Sequence, residues 1–172
     1  MSEVSDVAED DWQLWRTFVT MRHELDRAIE HRLQSDAGIS GADFEILLSL
    51  FKSQDGRLRA RELGELLGWE KSRISHQVTR MVARDLVERQ ECGTDLRGTW
   101  VVLRPTGRRA VLKASRGNAA ELRRLFFDVL TAGEKEALGS VSGKVIDAIN
   151  PSVCRRNDEI LGAASEESAA AS

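Results

Sequence analysis

The chain has 172 residues, 41% hydrophobic and 31% charged, an ordinary globular composition with enough apolar material for a core. No apolar run approaches the roughly 18 residues needed to span a bilayer, and the polar, acidic stretch Met1–Asp11 does not read as a signal peptide, so a cytoplasmic protein without membrane contact is expected. Cys92 and Cys154 form neither a CxxC pair nor a disulfide framework, and a net charge of −3 taken as an average disfavours a polyanionic partner.

The average conceals a local reversal. From Arg57 to Arg109 there are twelve basic and seven acidic residues, a net charge of +5, whereas the remainder carries 13 basic and 21 acidic residues, a net charge of −8. A basic middle in an acidic chain is the footprint of a polyanion-binding surface, with the acidic parts held away from it.

In chain order, Trp15, Phe18, Arg22, Leu25, Ile29 and Leu33 recur at three- and four-residue steps. They predict a long helix over about 10–34, with Trp12, Leu14 and Met21 widening its apolar face. A face that wide on a terminal helix calls for a partner, and another subunit is a candidate. Gly38 breaks the chain, and Ser40 with Asp43 resembles a capping box for a second helix whose stripe is Phe44, Leu47, Leu48 and Phe51. Asp55-Gly56 is a turn signal. A short helix over about 60–67 is expected to bury Leu63, Leu66 and Leu67, with Gly68 as its C-terminal cap.

A further helix is predicted over about 70–84, with Ile74, Val78 and Met81 as its buried stripe. Residues 86–91 and 99–103 read as two strands of a hairpin with a polar tip, Cys92–Gly98. Pro105 suits the first turn of a long helix marked by Val111, Leu112, Leu122, Leu125, Phe126 and Val129. Thr131 and Glu134 form a capping box for a last helix with the stripe Leu138, Val141, Val145 and Ile149. The Ala/Ser/Glu-rich tail after about Gly162 lacks a core-forming pattern and is expected to be disordered.

The expected fold is therefore mainly α with a small β-hairpin wing: a winged helix-turn-helix core flanked by N- and C-terminal dimerisation helices. The expected regions are a dimerisation helix over 10–36, a DNA-binding lobe over 37–104, C-terminal helices over 105–150 and an extension over 151–172.

The helix over 70–84 carries the functional argument. With Ile74, Val78 and Met81 on one side, Ser72, His76, Thr79 and Arg80 fall opposite, with Arg73 beside them. That face donates hydrogen bonds or carries positive charge and has no acid, as major-groove reading requires. The expected DNA-contacting set is Arg59, Arg61, Lys71, Ser72, Arg73, Ser75, His76, Thr79 and Arg80, with Asp95 and Arg97 on the hairpin tip. Arg97, flanked by Gly98, is suited to a minor groove, and Asp95 is better suited to orienting an arginine than to touching phosphate.

The stretch Asp95-Leu-Arg97-Gly-Thr-Trp-Val-Val-Leu103-Arg-Pro-Thr-Gly107 resembles the wing signature of MarR-type regulators. Arg61-Glu-Leu63-Gly-Glu-Leu-Leu67-Gly68 with Ser72, Ile74 and Ser75 resembles the helix-turn-helix of that family, and Leu86-Val87-Glu-Arg89 its exit into the wing. The resemblance spans about 10–149. It implies a homodimer with interlocked terminal helices, a recognition helix in each major groove and a wing in the adjacent minor groove. It also implies release from double-stranded DNA by small aromatic ligands or oxidants. One departure is Arg104, where the family usually has a helix-capping Thr. Arg has no oxygen to cap with, so either Thr106 takes over the cap or Arg104 turns toward the DNA backbone.

The resemblance places a ligand pocket between the dimer helices and the DNA-binding lobe, where Trp12, Trp15, Arg16, His23, Phe44 and Phe51 would line it for a carboxylated aromatic molecule. Cys92, near Arg89 and Arg97, is the candidate for redox sensing. His23 and His31 lie two turns apart, too far to share a metal, and no cofactor is expected. GxSxG, Walker A, HExxH and GxGxxG motifs are all missing, so no enzyme is expected. The expected function is a regulator, most simply a repressor, that binds a pseudo-palindromic operator. A winged-helix protein-interaction module is the alternative, and the basic face weighs against it.

Overall fold

The computed structural model describes residues 7–91 and 99–153. Cys92, Asp95, Arg97, Cys154 and the expected disordered tail lie outside the described residues.

Helix α1 (Glu9–Ala37) opens with Glu9, Asp10 and Asp11 in its first turn, where carboxylates favour the helix dipole. It ends at Gly38, whose left-handed φ of 64° lets its N–H reach the Gln34 carbonyl. Helix α2 (Gly41–Lys52) has the full capping box: Ser40 Oγ accepts from the Asp43 amide at 3.1 Å, and Asp43 Oδ2 accepts from the Ser40 amide at 2.9 Å.

A short strand β1 (Arg57–Arg59) precedes α3 (Ala60–Leu67), which Gly68 terminates at φ 64°. Helix α4 (Lys71–Ala83) leads to β2 (Val87–Glu91) and β3 (Thr99–Leu103). The three strands form an antiparallel sheet in the order β1-β3-β2, with Arg59 opposite Trp100 and Arg89 opposite Val101. Helix α5 (Pro105–Leu122) begins on Pro105 and runs into a π-type turn at Arg123–Phe127. Helix α6 (Ala132–Ile149) opens with the expected Thr131/Glu134 capping box.

One core joins these elements. Leu47 and Leu50 from α2, Leu63 from α3, Ile74, Val78 and Met81 from α4, and Val87 and Val101 from the sheet are all fully buried. Leu33 of α1 and Val111 and Ala114 of α5 close it. Gly107 permits a close junction with backbone: a Cβ there would stand 2.1 Å from the Leu86 carbonyl oxygen and 2.9 Å from Leu47 Cδ2.

Several sequence expectations need correction. Strand β1 is not legible in the sequence, because three residues carry no readable alternation and this strand exists through its pairing with β3. The α2 stripe is rotated: Ile46 and Leu50 are fully buried, whereas Leu48 and Phe51 are only half-buried. Leu66 and Leu67 are likewise half-buried, and Leu112 and Val129 are exposed.

The apolar faces at the two ends of the chain stay open. Leu14, Trp15, Phe18 and Met21 of α1 are exposed, as are Val141, Val145, Ile146 and Ile149 of α6. Within one chain α6 buries none of its residues. Trp15 and Phe18 stack on each other at 5.9 Å between ring centroids, a patch left exposed among the described residues.

Candidate nucleic-acid interface

Helix α4 has the two-sided character read from its period. Ile74, Val78 and Met81 are buried, and Lys71, Ser72, Arg73, Ser75, His76, Thr79 and Arg80 are exposed. Its first turn contains no acid, and Glu70 at the N-cap makes no side-chain cap bond, so the positive end of the helix dipole can favour an external anion.

The structure distributes the cations of the basic segment unequally. Arg61 pairs with Glu65 at 2.8 Å and Arg57 with Asp55 at 3.3 Å. Arg84 pairs with buried Asp43 at 2.7 Å. Arg104 is held by Asp85 at 2.7 Å and Glu88 at 2.6 Å. The Arg104 guanidinium in turn holds the Glu88 carboxyl below its ordinary range. By contrast, Lys71, Arg73, Arg80 and Arg89 form no ion pair among the described residues. Glu65, Asp85 and Glu88 are thus engaged by cations outside α4, while four cations on and beside its outer face form no ion pair among the described residues.

Aromatic contacts hold other cations in place. The Arg73 guanidinium lies 3.8 Å from the Trp69 ring centroid, and Arg57 and Arg59 lie 4.9 and 5.1 Å from that of Trp100. Such stacking orients a guanidinium, whose edge can still donate hydrogen bonds.

Arg89 is the residue the sequence argument left out of the interface. From β2 it donates to the Ser75 carbonyl at 2.9 Å and to Thr79 Oγ1 at 2.8 Å, while the Thr79 hydroxyl donates to the same Ser75 carbonyl. The strand is thereby fastened to the outer face of α4. The available signal was alternation: Arg89 shares the sheet side of buried Val87 and Val101, the side that packs toward α4. Arg61, Ser75, Arg89 and Thr99 line an open groove of about 780 Å³ between α3, α4 and the sheet.

Both expectations for Arg104 fail. It occupies the N-cap position of α5 without capping it, and its guanidinium is engaged by Asp85 and Glu88 rather than directed outward. Thr106 takes no cap role either: its hydroxyl donates to Asp85 Oδ2 at 3.0 Å. Asp85 itself sits at φ 58°, a left-handed conformation that Asp tolerates better than most side chains. Arg104 and Thr106 together anchor its carboxylate at the turn between α4 and β2.

The six residues expected to line a ligand pocket are not gathered by the single chain. Phe44 is in the core, Phe51 is half-buried under the Arg108 guanidinium, and Trp12, Trp15, Arg16 and His23 are exposed along α1. Arg16 bonds to Glu9 and Gln13 of its own helix. His31, like His23, lies exposed on α1.

Comparison with known proteins bears directly on this geometry. No curated protein matches the chain in sequence. A family model described as MarR family matches residues 37–98. The chain is similar to AbsC, a MarR family transcriptional regulator from Streptomyces coelicolor, with 30% identity over 86% of this chain and 99% of that one at a TM-score of 0.80. It is also similar to Sco3205 from the same organism, a MarR family regulator solved in complex with DNA, with 28% identity, 88% and 95% coverage and a TM-score of 0.81. A MarR mutant from E. coli complexed with operator DNA, 24% identical over 83% of this chain and 99% of that one, shares the fold at a TM-score of 0.71. A winged helix-turn-helix with its unpaired cations on one exposed helix face, matched at this identity along nearly the whole of a known regulator, places this chain in the MarR family of DNA-binding transcriptional regulators.

Proposed function

We propose that the protein is a homodimeric repressor that binds a pseudo-palindromic operator and is released by a small ligand. The observation that carries this reading is the outer face of α4, where Lys71, Arg73 and Arg80, with Arg89 beside them, form no ion pair among the described residues. Arg73 and Arg80 suit bidentate contact with guanine or phosphate, and Ser72, Ser75, His76 and Thr79 suit base edges or the backbone. Arg59 and Arg61 flank that face, and Asp95 and Arg97 extend the proposed contact set onto the wing.

Dimerisation is supported by the open apolar faces of α1 and α6, more apolar surface than a monomer usually leaves in contact with water. The proposed division is a DNA-binding lobe over 37–104 between dimerisation regions over 10–36 and 105–150. Ligand release is supported by the groove beside α4: a molecule seated there occupies space next to Ser75 and Arg89, which DNA must approach. The proposed place of action is the cytoplasm, and no helix among the described residues is long and apolar enough to cross a membrane.

The test is fluorescence anisotropy with a labelled duplex from the DNA upstream of the protein's own coding sequence. Affinity is expected to fall on the order of a thousandfold between 50 and 200 mM salt for about six phosphate contacts. Aromatic acids are expected to release the duplex. Binding insensitive to salt, or no binding to any promoter duplex, refutes the reading.

A further inference from the structure

The middle of α4 contains a polar side chain that a helix buried on one face has no packing reason to hold. Gln77 is only 5% exposed, and Asp43 at the start of α2 is 1% exposed. The Gln77 amide nitrogen donates to Asp43 Oδ1 at 2.7 Å, and its carbonyl oxygen accepts from the Arg80 guanidinium. Asp43 Oδ2 accepts from the Ser40 amide and from Arg84 at 2.7 Å, and Arg84 also donates to the Gly38 carbonyl.

The direction of this chain follows from chemistry. An ionised carboxylate can only accept, so the Gln77 amide must turn its NH2 inward to Asp43. Its carbonyl oxygen then faces outward, where Arg80 is the donor that meets it. Asp43 is kept ionised by the Ser40 amide and the Arg84 charge. The α2 capping box and the end of α1 are thus joined, through one buried amide, to a cation on the exposed face of α4.

We infer that Gln77 is a positioning residue for DNA recognition: oriented by Asp43, it holds the Arg80 guanidinium in place before DNA arrives. This rests on the reading that α4 meets DNA. A free arginine on a helix surface samples many rotamers and must be ordered on binding, whereas a tethered one is already restricted. One guanidinium nitrogen is used by the tether, and the remaining donors of the planar fork stay available for DNA.

The experiment is a double-mutant cycle on the full chain, Gln77→Met and Arg80→Ala singly and together, read as operator affinity by anisotropy. Met preserves the length and the burial and removes the amide. Loss of the tether is expected to weaken binding about tenfold for two half-sites together when Arg80 is present. In the Arg80→Ala background the same substitution is expected to change nothing. Equal loss in both backgrounds, or no loss in either, overturns the positioning role. If Arg80→Ala alone leaves affinity unchanged, the contact assigned to Arg80 fails, and the positioning role falls with it. Should Gln77→Met fail to fold, Gln77→Asn runs the same cycle, since its shorter amide cannot bridge Asp43 and Arg80.

Discussion

Asp43→Asn is the substitution whose consequences the structure defines most fully. Asn keeps the volume and can still accept from Gln77 through Oδ1. Its NH2, however, replaces the oxygen that accepts from the Ser40 amide and from Arg84, so donor faces donor at a site that is 1% exposed. Hydrogen bonds to a charged group contribute about 1.5 to 3 kcal/mol each. The Arg84 side chain is 43% exposed and can rehydrate, so its share belongs at the low end of that range. A total loss of about 3 kcal/mol is expected, lowering the melting temperature by about 6 to 12 °C for a chain of this size.

The pH dependence follows from the same contacts. Burial by itself raises the Asp43 carboxyl, but hydrogen bonds from Ser40 and Arg84, with the Arg84 charge, outweigh it and hold the pKa below the ordinary 3.8. A carboxyl depressed in the folded state stabilises fully above its unfolded pKa and loses that contribution as pH falls through its folded pKa. The gap between wild type and Asp43→Asn is therefore expected to be full at neutral pH and to narrow below about pH 4. Calorimetric or circular-dichroism melts from pH 7 down to pH 3 measure it. A gap under 2 °C at neutral pH, or one that stays constant through the acid range, would refute the argument.

Two further outcomes are expected. Gly107→Ala places a methyl against the Leu86 carbonyl and Leu47, and overpacking of about 3 kcal/mol less a helix-propensity gain of about 1 kcal/mol should lower thermal stability by about 2 kcal/mol. A melt unchanged or raised would show that α2, α5 and the α4–β2 turn can spread. Val145→Asp puts a charge on the open face of α6 and is expected to shift the protein from dimer toward monomer in sedimentation, with weaker operator binding. A dimer as tight as wild type would remove that face from the interface.

Much of this architecture is local in origin and could be read from the chain. Helix α3 and the caps at Ser40, Gly68 and Thr131 depend on residues three or four apart, so their signals lie side by side in the sequence. The same holds for the face of α4, since a period of 3.6 sorts Ile74, Val78 and Met81 from Ser72, His76 and Arg80 without knowledge of the neighbours. The opposed charges of the basic segment and the remainder are likewise a property of the sequence alone.

What the tertiary structure decided is which of those charges are spent. Arg104 read as a lost cap or a phosphate contact, and it became the partner of Asp85 and Glu88 because the α4–β2 turn and strand β2 bring both carboxylates to it. Gln77 gave no sign on the helical wheel, since its acceptor lies 34 residues earlier in α2. Strand β1 needed β3, whose Val101 pairs with Leu58 from 43 residues away, and the residues proposed as a pocket on Trp12 and Phe44 were divided between an open helix and the core. Periodicity and capping act over one helical turn, whereas ion pairing, sheet registry and pocket formation depend on distances that only packing sets. The positive face of α4 was therefore visible in the amino-acid sequence, but its lack of ion pairs emerged only when folding paired Glu65, Asp85 and Glu88 with other arginines.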